Sequence, residues 1–539
     1  MTDHDDDTDD GMSAEEMMLG ATEESLREEL DMASEVGELL LSPSRIKGLG
    51  ADQPADDPPF LGLEDDGGQE QAEGSFLVSA IFCLLGVGTL LPWNAFISSE
   101  PYFHARLCSL FGDGGGIELL FGLCFNVCGF LSLIVVIVTA LKRADAQSSS
   151  GARERQQVMW ALGLYLSFFL VTTGAVLVQN LDPTLFLVAT LMSLSVFGSC
   201  LAVAGTNIVG IASLFPPQIA IAPFFAGQAT GGAFISLTNF ITATAESPNK
   251  FWDEHCRHSN SAASHFTVDD NECPSYQRDI PTFWYFLLGS VILVLCIIGF
   301  VVLDRLAITQ YYRRLASGEQ NAANDLTQPL LESAPHHPSA TMNGDGDLRS
   351  DESSIQSVLK AIKFPALAIL LTSFVTLSLF PAYTSTLQSV SMCKATNRLQ
   401  NDLFEPLGFI LFNFPDLLAR IIAPMFIDIR SVQRRPGVLF LAAASRLIFP
   451  GLFLFAKSSS TELPYIHSDL YSISVSFAFA FSNGVLMSLC FMVAPLLLPH
   501  DSEETKRQRC SDFMNLNLAC GLLGGSIASF ILSKVATTL

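Results

Sequence analysis

Charge is scarce in this chain, and positive charge is scarcer still: only 15% of the 539 residues are Asp, Glu, Lys or Arg, with 29 basic side chains against 54 acidic ones. The chain therefore offers no basic surface for a nucleic acid, and no nucleic-acid partner is expected. Catalytic and nucleotide-binding signatures are missing too, since no GxxxxGK[ST], GxSxG or HExxH occurs. That argues against an ATP-driven pump and against an enzyme. The twelve cysteines include no CxxC and no Cys/His spacing suited to a metal, so neither metal nor cofactor is expected. A short basic leader is also lacking. The first apolar run begins near Ser75, behind a long acidic segment, and reads as a signal anchor rather than a cleaved signal peptide.

What the chain has is long apolar runs. With 49% hydrophobic residues and a positive mean hydropathy, it reads as an all-α polytopic membrane protein whose partner is the lipid bilayer. Runs long enough to cross roughly 30 Å of hydrocarbon at about 1.5 Å per residue fall near 75–97, 117–141, 157–179, 184–209, 219–244 and 282–303. A second set falls near 362–383, 403–428, 436–456, 470–498 and 511–536, making 11 transmembrane helices in a 6+5 arrangement. Arg153 and Arg155 after span two, Arg313 and Arg314 after span six, Arg434 and Arg435 after span eight and Lys506 and Arg507 after span ten mark those connections as cytoplasmic. The N-terminus is then cytoplasmic and the C-terminus outside.

The expected domains are an acidic, mostly disordered cytoplasmic tail (1–73), an N-terminal six-helix bundle (74–304), a flexible cytoplasmic linker (305–355) and a C-terminal five-helix bundle (356–539). The tail holds 23 acidic residues against three basic ones, which accounts for most of the net charge of −25. Within it, Glu35-Val-Gly-Glu-Leu39-Leu40 has the acidic-dileucine spacing read by sorting adaptors. The plasma membrane is the favoured location, with an endosomal or vacuolar membrane as the alternative. Cys108, Cys256, Cys273 and Cys393 fall in loops, where four cysteines allow three full pairings. Cys256 with Cys273 closes a local loop and is the expected disulfide.

One stretch organises the rest. Phe409 to Arg420 places an amide, a carboxylate and a guanidinium in a segment apolar enough to cross a bilayer. At about 100° per residue, Phe409, Asn413, Asp416 and Arg420 fall within roughly 60° of one another and share one helix face. Ionisable residues at that depth mark substrate or ion pathways, and Asp416 has a partner one turn away in Arg420. Pro415 interrupts the helix at the same place. In span one, Leu90, Trp93, Asn94 and Ile97 lie on a face about 100° wide, suited either to a cavity stripe or to an interfacial tryptophan belt.

Leu90-Leu-Pro-Trp93-Asn94, followed by Tyr102-Phe103, closely resembles the signature of the equilibrative nucleoside transporters. Further elements resemble that family in order: Ala222-Pro223 and Gly227-Gln228-Ala-Thr-Gly-Gly232 in span five, Phe380-Pro381-Ala382 after span seven, the Phe409/Asn413/Asp416/Arg420 pattern of span eight, Ser445-Arg446 in span nine and Phe479-Ala-Phe-Ser482-Asn483-Gly484 in span ten. The resemblance implies a major-facilitator-like fold with alternating access and a facilitative carrier of nucleosides. Alternatives are a proton-coupled nucleoside or nucleobase transporter, or a carrier of organic cations or other small solutes on the same fold. It implies that Leu90 and Trp93 meet the base while Asp416 and Arg420 hold the ribose. Asn483 is expected either to bind substrate or to bond a neighbouring helix. Gly227, Gly232 and Pro381 are expected in helix packing or gating, and Arg446 at a gate or against a carboxylate partner. The span-four glutamine usual in the family is absent from Ala202–Asn207, leaving Thr206 and Asn207 as the candidate base-edge groups.

Overall fold

The computed structural model describes residues 68–111, 117–142, 150–245, 280–317, 345–380, 384, 387–394, 397–457, 468–499 and 504–538. The acidic-dileucine segment, Cys256, Cys273 and Pro381 lie outside the described residues. Val78–Leu539 clusters as one compact unit, which holds the cavity described below.

The described residues form α-helices and short 3-10 turns. In chain order these are α1 (Gly68–Ser98), α2 (Glu100–Phe111), α3 (Ile117–Lys142), α4 (Ser150–Leu177), α5 (Pro183–Ala212), α6 (Ile221–Ala245), α7 (Ile280–Arg305), α8 (Ala307–Ser317), α9 (Asp345–Leu379), α10 (Phe404–Phe426), α11 (Ile429–Arg434), α12 (Gly437–Ser445), α13 (Phe449–Lys457), α14 (Asp469–Val493) and α15 (Glu504–Thr538). Local chemistry sets several ends. Asp182 caps α5 by accepting from Leu185 N at 2.9 Å, with Pro183 in the first turn where its missing N–H costs nothing. Arg106 of α2 donates to Ala175 O at 3.1 Å and to Val178 O at 2.5 Å, satisfying carbonyls at the end of α4.

Ten of the described helical stretches are long and apolar enough to cross a membrane, one fewer than the eleven expected. The difference is α6, whose Gly, Thr, Ser and Asn lower its hydropathy although it runs 25 residues. Large apolar side chains such as Val171, Leu185 and Leu441 are more than 60% exposed, as suits contact with lipid rather than water. The linker expected over 305–355 is partly helical: α8 occupies its start and α9 begins at Asp345. Asp304 anchors α8 through Arg313 at 3.1 Å and also pairs with Arg155 of α4 at 2.8 Å.

Span nine is not one helix. It breaks into α12, a 3-10 turn at Arg446–Ile448, and α13. Pro450 explains the break, because its ring cannot donate to the carbonyl of Arg446 four residues earlier and crowds it.

Helix α5 packs on α3 and α4, and α4 on α7, while α9 packs on α15 and α10 on α14. Contacts that join the early and late helices include α6 against α10 and α14, and α15 against α3 and α5. A tight seam runs between α1 and α6. A Cβ on Gly227 would collide with Cys83 O, and one on Gly86 with Phe224 O, so the two backbones touch with no side chain between them.

Replacing Gly227 with Val is expected to cost at least about 1–3 kcal/mol, the usual penalty of overpacking, because the obstacle is backbone. Gly163→Ala, where an added Cβ meets nothing within 4 Å, should leave the melting midpoint of the detergent-solubilised protein unchanged or higher. Equal midpoints for the two variants would refute the seam.

Candidate binding cavity

Asp416 and Arg420 stand one turn apart on α10, with Arg420 Nη2 at 2.9 Å from Asp416 Oδ2. Both are buried, at 4% and 5% exposure. A buried ion pair stabilises only if its remaining hydrogen-bonding capacity is met, and here neighbouring helices meet most of it. Asn483 Nδ2 of α14 donates to Asp416 Oδ1 at 2.7 Å, and Arg420 Nη1 donates to Phe225 O of α6 at 3.1 Å. Gly484 lets α14 come close, since a Cβ there would strike Asp416 O.

The pair forms part of the wall of a cavity of about 260 Å³ lined by residues of α1, α3, α5, α6, α9, α10, α14 and α15. That volume sits near the lower end of small-ligand sites, which run from roughly 300 Å³ upward. Leu90, Trp93 and Asn94 contribute from α1, Thr206 from α5, Gly232 from α6, Asn413, Asp416 and Arg420 from α10, and Asn483 from α14. Trp93 stacks on Phe125 of α3 with ring centroids 4.3 Å apart, and Phe412 of α10 stacks on Phe380 at 3.7 Å. The walls thus combine braced aromatic faces with a paired carboxylate and guanidinium.

Three expected residues stand off the cavity. Ile97 lies a turn beyond Trp93 and does not line it. Asn207 points elsewhere, donating to Gln157 Oε1 of α4 at 3.2 Å and to Val203 O at 2.8 Å. Phe409 packs edge-on against Phe380 at 5.7 Å, and Phe412, one turn along, takes the wall position. Gly227 lies in the α1–α6 seam. Arg446 is 1% exposed and behind the wall; it bonds Phe479 O, Ser482 and Thr376 rather than a carboxylate.

Several lining residues escape the sequence reading. Gln228 reaches the cavity from α6 with Nε2 3.5 Å from Thr89 Oγ1, Asn126 from α3 with Nδ2 donating to Ser526 Oγ at 3.0 Å, and Asn515 from α15. Each is an amide inside an apolar run, the same signal that singles out Asn413. Thr376 and Ser373 line the wall from α9, and hydroxyls of this kind carry no signal because they commonly bond their own helix carbonyls. On the α5 wall, where the span-four glutamine is absent, Ala202 and Gly205 face the cavity, and a Cβ on Gly205 would meet nothing within 4 Å.

The family model described as "Nucleoside transporter" matches residues 274–534. Equilibrative nucleoside transporter 1 of Rattus norvegicus is 27% identical over 486 residues, covering 84% of this chain and 96% of that protein. Equilibrative nucleoside transporter 2 of Homo sapiens is 25% identical, covering 86% and 98%. Equilibrative nucleotide transporter 8 of Arabidopsis thaliana is 23% identical, covering 84% and 94%. Among solved structures, the proton:xylose symporter XylE bound to a bromodeoxyglucose has 11% identity, covers 86% of this chain and 88% of its own, and has a TM-score of 0.49.

Two glycine substitutions of identical chemistry should part company here. A Cβ on Gly232 would collide with Asn413 Oδ1 and lie 3.3 Å from Asn94 Nδ2, so Gly232→Ala should displace both amides and lower transport efficiency about tenfold, equivalent to about 1.4 kcal/mol. Gly205→Ala should stay within about twofold of the native protein. Initial uptake rates normalised to protein in the membrane measure both.

Proposed function

We propose, from the match of residues 274–534 to the nucleoside transporter model and the similarity to equilibrative nucleoside transporters, that the chain is a facilitative carrier that binds a nucleoside in this cavity and releases it on the other side of a membrane by alternating access. The observation that carries the reading is one cavity presenting the stacked Trp93–Phe125 pair together with the buried Asp416–Arg420 pair. A nucleoside has the same two halves, a flat aromatic base and a sugar with adjacent hydroxyls. Trp93 and Leu90 take the base. Asp416 accepts from the ribose hydroxyls while Arg420 keeps it in place and donates to ring oxygens or nitrogens. Asn413, Asn94 and Asn483 complete the polar wall, and Thr206 with Gln228 and Asn126 offers groups for the base edge. The open α5 wall at Gly205 leaves room for bicyclic purines and for a free nucleobase as well.

Within this reading, helices of 74–304 and 356–539 act as two bundles that rock about the cavity. The basic ends near Arg155, Arg313, Arg434 and Arg507 face the cytoplasm. Cys108, in α2 after the C-terminal end of α1, and Cys393, after the C-terminal end of α9, are each disulfide-bonded, which supports an oxidising compartment on the side away from the basic ends. The plasma membrane is the favoured location, and adaptors at the acidic-dileucine segment are the proposed sorting partners.

Proteoliposomes with no imposed gradient should equilibrate radiolabelled adenosine and uridine, and Asp416→Asn should reduce the flux at least tenfold. A protonophore should not change it. Absence of nucleoside flux by the native protein, with or without a proton gradient, would overturn the reading, and flux that appears only with the gradient would replace it with proton coupling.

A further inference from the structure

Arg446 has no place on the cavity wall, yet it ends a chain of hydrogen bonds that starts there. Its guanidinium is buried between the rings of Phe449 and Phe479, at 5.7 and 4.8 Å from their centroids. Nη1 donates to Phe479 O at 2.8 Å and to Ser482 Oγ, and Nη2 donates to Thr376 Oγ1 at 2.8 Å. From Thr376 the chain continues to Asn483 Oδ1 at 2.7 Å, and from Asn483 Nδ2 to Asp416 Oδ1 at 2.7 Å. The other oxygen of Asp416 meets Arg420 at 2.9 Å. Residues of α9, α10, α14 and the 3-10 turn of span nine are joined in one line.

The donors and acceptors in that line are not interchangeable. A guanidinium only donates, so Thr376 Oγ1 accepts from Arg446 and has one proton left to give. Asn483 Oδ1 lies within reach of that proton, as does Thr372 O at 2.8 Å. The Asn483 amide is gripped at both ends: turning it over would bring its oxygen against the carboxylate, acceptor against acceptor, and lose the bond from Thr376. Asp416 is in turn held from two sides, by Arg420 on its own helix and by Asn483 on α14, and its remaining lone pairs have a fixed direction.

We propose that Arg446 is a positioning residue for sugar recognition: acting through Thr376 and Asn483 it sets the orientation of the Asp416 carboxylate, and with it the preference for substrates with vicinal hydroxyls, without touching substrate. This rests on the reading that Asp416 takes the ribose hydroxyls. The break at Arg446–Ile448 gives the device its anchor, since the helix turn that carries the guanidinium is held by Pro450 and by two aromatic rings rather than by cavity contacts.

The test compares uptake KM for uridine with that for 2′,3′-dideoxyuridine in proteoliposomes of the full chain. The native protein should prefer uridine by tenfold or more. Arg446→Lys keeps the charge but not the fork that reaches Phe479 O, Ser482 and Thr376 together, and Arg446→Met removes both. Each should bring the ratio to within threefold of unity while the dideoxyuridine KM stays within twofold of native. Thr376→Val, similar in volume and without the hydroxyl, changes a residue of the cavity wall and should also bring the ratio to within threefold of unity, whatever its effect on the dideoxyuridine KM; it decides the matter if the Arg446 variants fail to fold. A parallel rise in both KM values would assign Arg446 a merely structural role and overturn the proposal, as would a ratio left intact. Asp416→Asn separates the two levels. If it keeps the native ratio, or if the native protein shows no preference, the sugar reading itself falls; if it loses the ratio while the Arg446 and Thr376 variants keep it, only the positioning inference falls.

Discussion

Taking a carboxylate and a guanidinium out of water costs several kcal/mol for each ion, and their mutual attraction repays this only when the geometry is good and the leftover donors and acceptors find partners. Asp416 and Arg420 sit one turn apart, which fixes their attraction, but one helix cannot supply the rest. Asn483 must come from α14 and Phe225 O from α6. The juxtaposition of α6, α10 and α14 is therefore a condition on this pair being present at all. Gly484, which lets α14 approach the backbone of α10, and Gly232, which leaves space for the Asn413 amide, are consequences of the same demand.

The aromatic side chains do complementary work. Phe412 stacks on Phe380 at 3.7 Å and Trp93 on Phe125 at 4.3 Å, each pair joining two elements at the cavity, while Phe225 lies tilted against Phe491 at 4.5 Å. Rings locked face to face lose their rotamer freedom when the protein folds rather than when ligand arrives, so a flat ligand entering beside them meets walls already set.

How far the site could be read from sequence follows from what periodicity encodes. A 3.6-residue repeat puts Asn413, Asp416 and Arg420 on one face, and the structure has all three on the cavity. The same repeat cannot say how far along the helix axis the cavity reaches, and Phe409 and Ile97, central on their faces but at the axial ends of their stripes, fall outside it. Nor does it say which neighbour a face meets: Thr206 and Asn207 are adjacent in sequence, but about 100° of rotation sends one to the cavity and the other to Gln157. Gln228 was overlooked beside its glycines, although an amide in an apolar run is as informative there as in span eight. The break at Arg446 falls inside what hydropathy reads as one uninterrupted span, although Pro450 is its cause, and the line from Arg446 to Asp416 leaves no trace in the sequence, because it passes through four elements that only packing brings together.

The α1–α6 seam bears on how the two ends of the cavity communicate. With backbone against backbone at Gly86 and Gly227, these helices amount to a single strut of double width. Leu90 and Trp93 hang from one half of it and Gln228 from the other, while Phe225 O, the acceptor that steadies Arg420, belongs to the same strut. The aromatic wall at Trp93 and the backbone acceptor that steadies Arg420 therefore share one frame, and torque applied at either is felt at the other.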